Sequence, residues 1–148
     1  MTVFDLEQLE SCYTPPCRSA KNAVNMVSFI AGNVLRGDVK VHSENLDEAG
    51  LNAMQVVDVR SAAEFSRGHL KGAVNINRNT LRDNTSALGK KRPMLAYCQV
   101  GHRSYSTTRI LKQDGFNAVD LDGGCKTVAE SGLTKVAGGT AYSPLMLW

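Results

Sequence analysis

Met94-Leu95-Ala96-Tyr97-Cys98-Gln99-Val100-Gly101-His102-Arg103-Ser104 is the stretch that decides the fold. Its first four residues form an apolar run of strand length, as expected for a strand buried on both faces. A helix is expected from Ser104 to Gln113, closed by Gly115. Five residues separate Cys98 from Ser104. So short a connection must curl, turning its backbone N–H groups inward as a nest for an anion. The helix N-terminus adds partial positive charge. Gly101 permits a positive φ, and Arg103 supplies a permanent cation with planar donors. A thiol at this mouth is expected to have a lowered pKa, which suits passage of sulfur between a donor and a nucleophilic cysteine. The plain alternative is a buried cysteine at a strand end, since free Cys is among the most buried residue types.

Short strands and helices alternate on either side of this stretch. Strands are expected at Val39–Val41, Met54–Val59, Ala73–Ile76 and Ala118–Leu121. Helices are expected from Ser43 to about Ala49, from a Ser61 cap to Arg67 with Glu64 at the capping-box position, and after Gly123-Gly124 from Lys126. Leu81–Leu88 is weakly helical. Such alternation implies an α/β fold, a parallel sheet with helices on both faces, whose ligands sit beyond the carboxyl ends of the strands. The cysteine loop falls at such an end.

Residues 1–37 read as a helical arm: Asp5–Tyr13 with Leu6, Leu9 and Tyr13 at helical spacing, a stop at Pro15-Pro16, then Asn22–Leu35 ended by Gly37. Val24, Val27, Ile30, Ala31 and Leu35 fall on one side of the second helix. The main domain is read as 38–137, and 138–148 as an irregular tail without an element.

The chain has 148 residues, 43% of them apolar and 21% charged, which fits one globular domain rather than a disordered chain. A net charge of +3, with its densest run at Lys90-Lys91-Arg92, is too weak and scattered to imply nucleic acid. No apolar run approaches the roughly 20 residues of a spanning helix, and no secretory leader is visible. The expectation is a cytoplasmic protein that uses neither membrane nor nucleic acid. Cys12, Cys17, Cys98 and Cys125 form no CxxC pair, so no metal site is expected and the cysteines are read as thiols. No GxGxxG follows a strand, so no flavin or nicotinamide cofactor is assigned.

Over about residues 38–130 the chain resembles the rhodanese family. Val57-Asp58-Val59-Arg60, Glu64-Phe65 and Gly68-His69-Leu70-Lys71-Gly72-Ala73-Val74-Asn75-Ile76 match its first signature. Tyr97-Cys98-Gln99-Val100-Gly101-His102-Arg103-Ser104 matches its active-site loop, and Leu121-Asp122-Gly123-Gly124 its last motif. The resemblance implies a sheet of about five strands and a sulfurtransferase in which Cys98 carries a persulfide. Gln99, Val100, Gly101, His102, Arg103 and Ser104 would form the anion-binding loop. Asp58 and Arg60 would support it, mostly by holding the fold, and His69 would be a hydrogen-bonded packing residue. His102 either tunes charge and donor selection or is simply exposed. Cys125 stands where relatives carry a larger residue, often Tyr; it either resolves a Cys98 persulfide, hands sulfur onward, or is incidental, as Cys12 and Cys17 are. Phosphatases of the Cdc25 type have a longer loop than the six residues from Cys98 to Arg103. A non-catalytic binding module is the remaining alternative.

The arm resembles something else. Thr2-Val3-Phe4-Asp5-Leu6-Glu7-Gln8-Leu9, Tyr13-Thr14-Pro15-Pro16 and Ser19-Ala20-Lys21-Asn22-Ala23-Val24-Asn25-Met26 are similar to the end of the dimerisation domain of coenzyme A-disulfide reductases. Some of these flavoproteins carry a C-terminal rhodanese domain. The resemblance implies the tail of such a fusion. Its partners would be a small sulfur donor, a thiol acceptor and a flavin-dependent disulfide or persulfide reductase.

Overall fold

The computed structural model describes residues 1–10, 22–42, 48–131 and 136–137. They belong to two compact units, Met1–Val39 and Lys40–Trp148.

The first unit contains helices α1 (Val3–Glu7) and α2 (Ala23–Leu35). Both begin where a side chain satisfies a free backbone donor. Thr2 and Asp5 form a capping box, and Asn22 Oδ1 accepts the Asn25 N–H at 2.9 Å. The Thr2 cap starts α1 earlier than the Asp5 expected from spacing; residues 11–13 of the expected helix lie outside the described residues. In α2 the buried residues are Asn25, Ser28 and Gly32, and Asn25 Nδ2 donates to Leu9 O at 2.9 Å. The apolar side read from the sequence is the outer one: Val24, Val27, Ile30 and Leu35 are exposed, Val27 and Leu35 at 65% each. An intrahelical period shows that a face exists but not which way it turns.

The second unit runs β1 (Val41–His42), α3 (Glu48–Ala53), β2 (Gln55–Asp58), α4 (Ala62–Arg67), β3 (His69–Leu70), β4 (Val74–Asn75), α5 (Leu81–Asn84), β5 (Met94–Tyr97), α6 (His102–Gln113), β6 (Ala118–Leu121), α7 (Gly124–Ser131) and β7 (Val136–Ala137). Five strands form one parallel sheet in the order β1-β6-β5-β2-β4. This is the α/β sheet the alternation predicts. Strand alternation sends the side chains of β5 to opposite faces. Met94, Ala96 and Cys98 join Val57, Val59, Leu81, Leu111 and Phe116 on one face. Leu95 and Tyr97 join Leu51, Val56, Leu70, Leu121 and Val128 on the other. Helices therefore cover both faces, α5 and α6 on the first, α3 and α7 on the second. Each large apolar side chain removed from water here contributes about 2 kcal/mol. The Tyr97 hydroxyl, wholly buried, accepts the Leu70 N–H at 3.1 Å and so keeps a polar partner.

Several boundaries move. Val39 donates to Asn33 O rather than to a ladder, and the first strand is Val41–His42 instead of 39–41. The helix expected from Ser43 is found at Glu48–Ala53, with residues 43–47 outside the described set. β2 and β4 are each shorter by a residue at either end than expected. Residues 81–88 split into α5 and a 3-10 turn, Thr85–Ala87. His69–Leu70 pairs antiparallel with Val136–Ala137, a two-residue contact too short for any periodicity to announce. The tail 138–148 lies outside the described residues. Among the described residues no helix is long and apolar enough to cross a membrane.

Candidate active site around Cys98

β5 delivers Cys98 to the carboxyl end of the sheet, and α6 starts almost at once. The helix begins at His102, not Ser104, so only three residues separate it from the cysteine. The reason lies in Gly101, whose φ of 97° reverses the chain within one residue and makes it the N-cap. His102, Arg103 and Ser104 become the first turn, whose N–H groups have no intrahelical acceptor. Gly101 has no side chain with which to cap them. The sulfur stands in that place. Cys98 Sγ accepts the Gly101 N–H at 3.2 Å and the Ser104 hydroxyl at 3.6 Å, and Ser104 Oγ also donates to Gly101 O at 2.9 Å.

This arrangement sets the acidity of the thiol. Burial pushes Cys98 up, since the residue has no accessible surface. The Ser104 hydroxyl and the backbone N–H groups of Ser104, Val100 and Arg103 together outweigh burial, and the net pKa lies below that of an ordinary thiol. The direction agrees with the reading of the loop as an anion nest, although the serine hydroxyl carries more of the effect than the sequence alone suggested.

Arg103 is not a free cation. Its Nη1 and Nη2 donate to Glu64 Oε2 and Oε1 at 2.9 and 2.7 Å, a two-point pair at the side of the loop. Glu64 meanwhile accepts the Ser61 N–H at 3.0 Å and the Ser61 hydroxyl at 2.9 Å at the start of α4. The Arg103 pair and the Ser61 bonds hold the Glu64 carboxyl down to about 2. The Glu64 pair, and after it the nearby Cys98 thiolate, push the pKa of the Arg103 guanidinium up. Sequence reading gave Glu64 only its capping role.

Asp58 and Arg60 form a buried tie behind the loop. Arg60 Nη2 donates to Asp58 Oδ2 at 2.7 Å and to Gly68 O at 2.6 Å, while Nη1 reaches Gln99 Oε1 at 3.1 Å. Gln99 is thus drawn back toward β2. Val100 and His102 are exposed, Val100 at 57%. His69 stacks on Phe65 with ring centroids 3.8 Å apart, and its Nδ1 lies 3.0 Å from Phe65 O.

The Gly123-Gly124 turn packs directly on the loop. Cys125 N–H donates to Cys98 O at 2.8 Å and Lys126 N–H to Gln99 O at 3.1 Å. A Cβ on Gly124 would lie 2.5 Å from Cys98 O, so only glycine permits the contact. With these carbonyls held by α7, the loop amides are left for the sulfur. The same turn makes α7 start at Gly124 rather than Lys126. Cys125 itself is buried with Leu70, Tyr97 and Leu121, on the face opposite Cys98, and burial pushes its thiol up.

The chain that carries this site is similar to proteins already known. Residues 38–131 match the rhodanese-like domain. The chain belongs to the rhodanese-like domain family. It is 34% identical over 73 residues to the thiosulfate sulfurtransferase GlpE of Shewanella oneidensis, covering 49% of this chain and 72% of the relative. It is 32% identical over 101 residues to a sulfurtransferase of Allochromatium vinosum, covering 66% of this chain and 94% of the relative. Among solved structures, reduced Bacillus anthracis CoADR-RHD superposes with a TM-score of 0.79 at 32% identity, over 91% of this chain and 25% of that one. An NAD-dependent persulfide reductase from A. fulgidus gives 0.71 at 28%, over 85% and 22%. This rhodanese-like chain therefore spans about a quarter of either of these two longer chains. Coverage of 91% exceeds what the Lys40–Trp148 unit alone supplies, so the first likeness extends into the arm.

Proposed function

We propose that the protein is a sulfurtransferase in which Cys98 carries sulfane sulfur as a persulfide. The carrying observation is the Cys98 thiol, set as the cap of α6 with its pKa lowered by the Ser104 hydroxyl and the loop amides. The Cys98 thiolate attacks the outer sulfur of a donor such as thiosulfate, polysulfide or a low-molecular-weight persulfide. A Cys98–sulfur bond forms, and the donor's sulfur–sulfur bond breaks with its electron pair leaving on sulfite or a thiolate. An acceptor thiolate then takes the outer sulfur, and the electron pair of the broken bond returns to Cys98 Sγ. The loop amides, with the Arg103 guanidinium that Glu64 orients, hold negative charge at both stages.

A flavin-dependent disulfide or persulfide reductase is the proposed partner. The likeness to two reductase structures and the exposed apolar side of α2 support that reading. A cytoplasmic setting is proposed with it, as Cys98 and Cys125 are both free thiols.

Treatment with thiosulfate or polysulfide, followed by mass spectrometry, tests the reading. The Cys98 peptide is expected to gain about 32 Da, one sulfur atom held covalently, and to lose it to cyanide or dithiothreitol. Uptake and turnover that persist in Cys98→Ala would overturn it. A protein that takes up no sulfur from any of these donors is the binding module instead.

A further inference from the structure

Asp120 stands on the Cys98 side of the sheet with nothing yet to do. In β6 it is in register with Ala96 of β5 and Val41 of β1, and it shares a face with Ala96 and Ala118. It is 4% exposed, and its Oδ1 has no hydrogen-bond partner. An unsatisfied carboxylate oxygen in such a place costs several kcal/mol if ionised. α6 lies over this part of the sheet and presents Ser104, Thr107 and Thr108, all wholly buried and none charged. Asp122 is the other charge acting on the carboxyl. Ser104 thus stands between two groups. Its hydroxyl lies 3.6 Å from Cys98 Sγ and 2.9 Å from Gly101 O, and it stands near enough to Asp120 to work against the rise of that carboxyl's pKa.

A serine hydroxyl has one proton to give and can accept in return. We propose that Asp120 is a positioning residue for Cys98 that acts through Ser104: its protonated carboxyl donates to Ser104 Oγ and leaves the serine's one proton to be shared between Gly101 O and the sulfur. The ionised carboxylate does the reverse, drawing the serine proton to itself and adding a negative charge behind the thiolate. Burial raises Asp120 to about 7, Asp122 adds to this, and the Ser104 hydroxyl works against it. The switch therefore falls in the range where the protein would work. The inference deepens the persulfide reading. When an acceptor removes the outer sulfur, the breaking bond leaves its electron pair on Sγ, and the Ser104 O–H steadies that charge. The Asp120 proton is not consumed.

The test follows Cys98 ionisation and needs no turnover, so its failure is separate from failure of the sulfurtransferase reading. Alkylation of the Cys98 peptide by iodoacetamide is measured against pH in wild type, Asp120→Asn, Ser104→Ala and the double variant. Asn cannot ionise and can still donate to Ser104. Its Cys98 midpoint is expected about half a unit or more below wild type, and the same substitution is expected to shift the midpoint less than half as far when Ser104 is Ala. Wild type should titrate more shallowly than Asp120→Asn, as coupled groups do. A second measurement needs only the wild-type chain: the aspartate carboxyl carbons are followed by NMR before and after alkylation. Neutralising the sulfur should lower the Asp120 midpoint. An unmoved Cys98 midpoint in Asp120→Asn, an equal shift without Ser104, or an Asp120 titration indifferent to alkylation each overturn the proposal.

Discussion

Arg103 and Glu64, 39 positions apart in the chain, meet through two hydrogen bonds of 2.9 and 2.7 Å. Their side chains are 35% and 29% exposed, so the pair sits at the rim of the site, not in its floor. It joins the first turn of α6, where the sulfur is capped, to the first turn of α4. Because Glu64 also accepts from Ser61, one carboxylate closes a helix start and orients the loop cation.

Glu64→Gln separates these duties, since Gln can still close the capping box but cannot neutralise Arg103. A stability loss of about 1 kcal/mol is expected, modest because the pair is partly solvated. The Glu64 pKa is lowered in the folded state from 4.5 to about 2. The contribution of the pair is therefore complete above pH 4.5 and is lost as pH falls toward about 2. Urea midpoints of the two proteins should differ at neutral pH and converge through that window. A gap that stays constant down to acid would show that the carboxylate charge is not what stabilises.

Gly124→Ala and Gly72→Ala place the same methyl group on backbones of similar φ, 61° and 77°. At Gly72 the Cβ meets nothing within 4 Å, whereas at Gly124 it meets Cys98 O at 2.5 Å. Gly72→Ala should cost about 1 kcal/mol of backbone strain and leave sulfur transfer intact. Gly124→Ala should displace the Cys98 carbonyl and lower turnover by about tenfold or more, the size expected of a small misplacement of reacting groups. Parallel thiosulfate assays and thermal melts distinguish the two effects.

Asp58→Asn tests the tie behind the loop. Arg60 is 3% exposed, and removing the opposite charge leaves a buried guanidinium with weaker partners. A loss of about 3 kcal/mol is expected in chemical denaturation. Gln99 loses its anchor when Arg60 shifts, so the Cys98 loop should exchange its amide hydrogens faster in the variant. Unchanged stability would mean that Arg60 is held well enough by Gly68 O and Gln99.

Cys125→Ala addresses the resolving role. Cys125 packs with Tyr97 and Leu70 on the sheet face away from Cys98, and its thiol is pushed up by burial. The variant should form and discharge the persulfide at the wild-type rate, while losing about 1 kcal/mol of packing. Accumulation of an undischarged Cys98 persulfide in the variant would assign Cys125 the resolving function after all.

The anion nest was readable because everything that builds it lies within Cys98–Ser104: a strand end, a glycine able to take positive φ and a helix start. The two-point Arg103–Glu64 pair and the burial of Asp120 on the Cys98 side of the sheet were not, since each depends on elements far apart in the chain. The outward turn of the α2 apolar side was hidden for a related reason. Spacing along one helix marks a stripe, and only packing chooses what covers it.

Taken alone, the amino-acid order determined the strand–loop–helix alternation, the curl at Gly101 and the place of the Cys98 thiol at the start of the next helix, because local sterics and backbone hydrogen bonding dictate these over a few residues. Strand order, the faces that Cys98 and Cys125 occupy, the partner of Arg103 and the burial of Asp120 were decided only in three dimensions. There, burial favours pairing of polar groups with whichever distant segment the parallel crossovers bring alongside, as Arg103 meets Glu64.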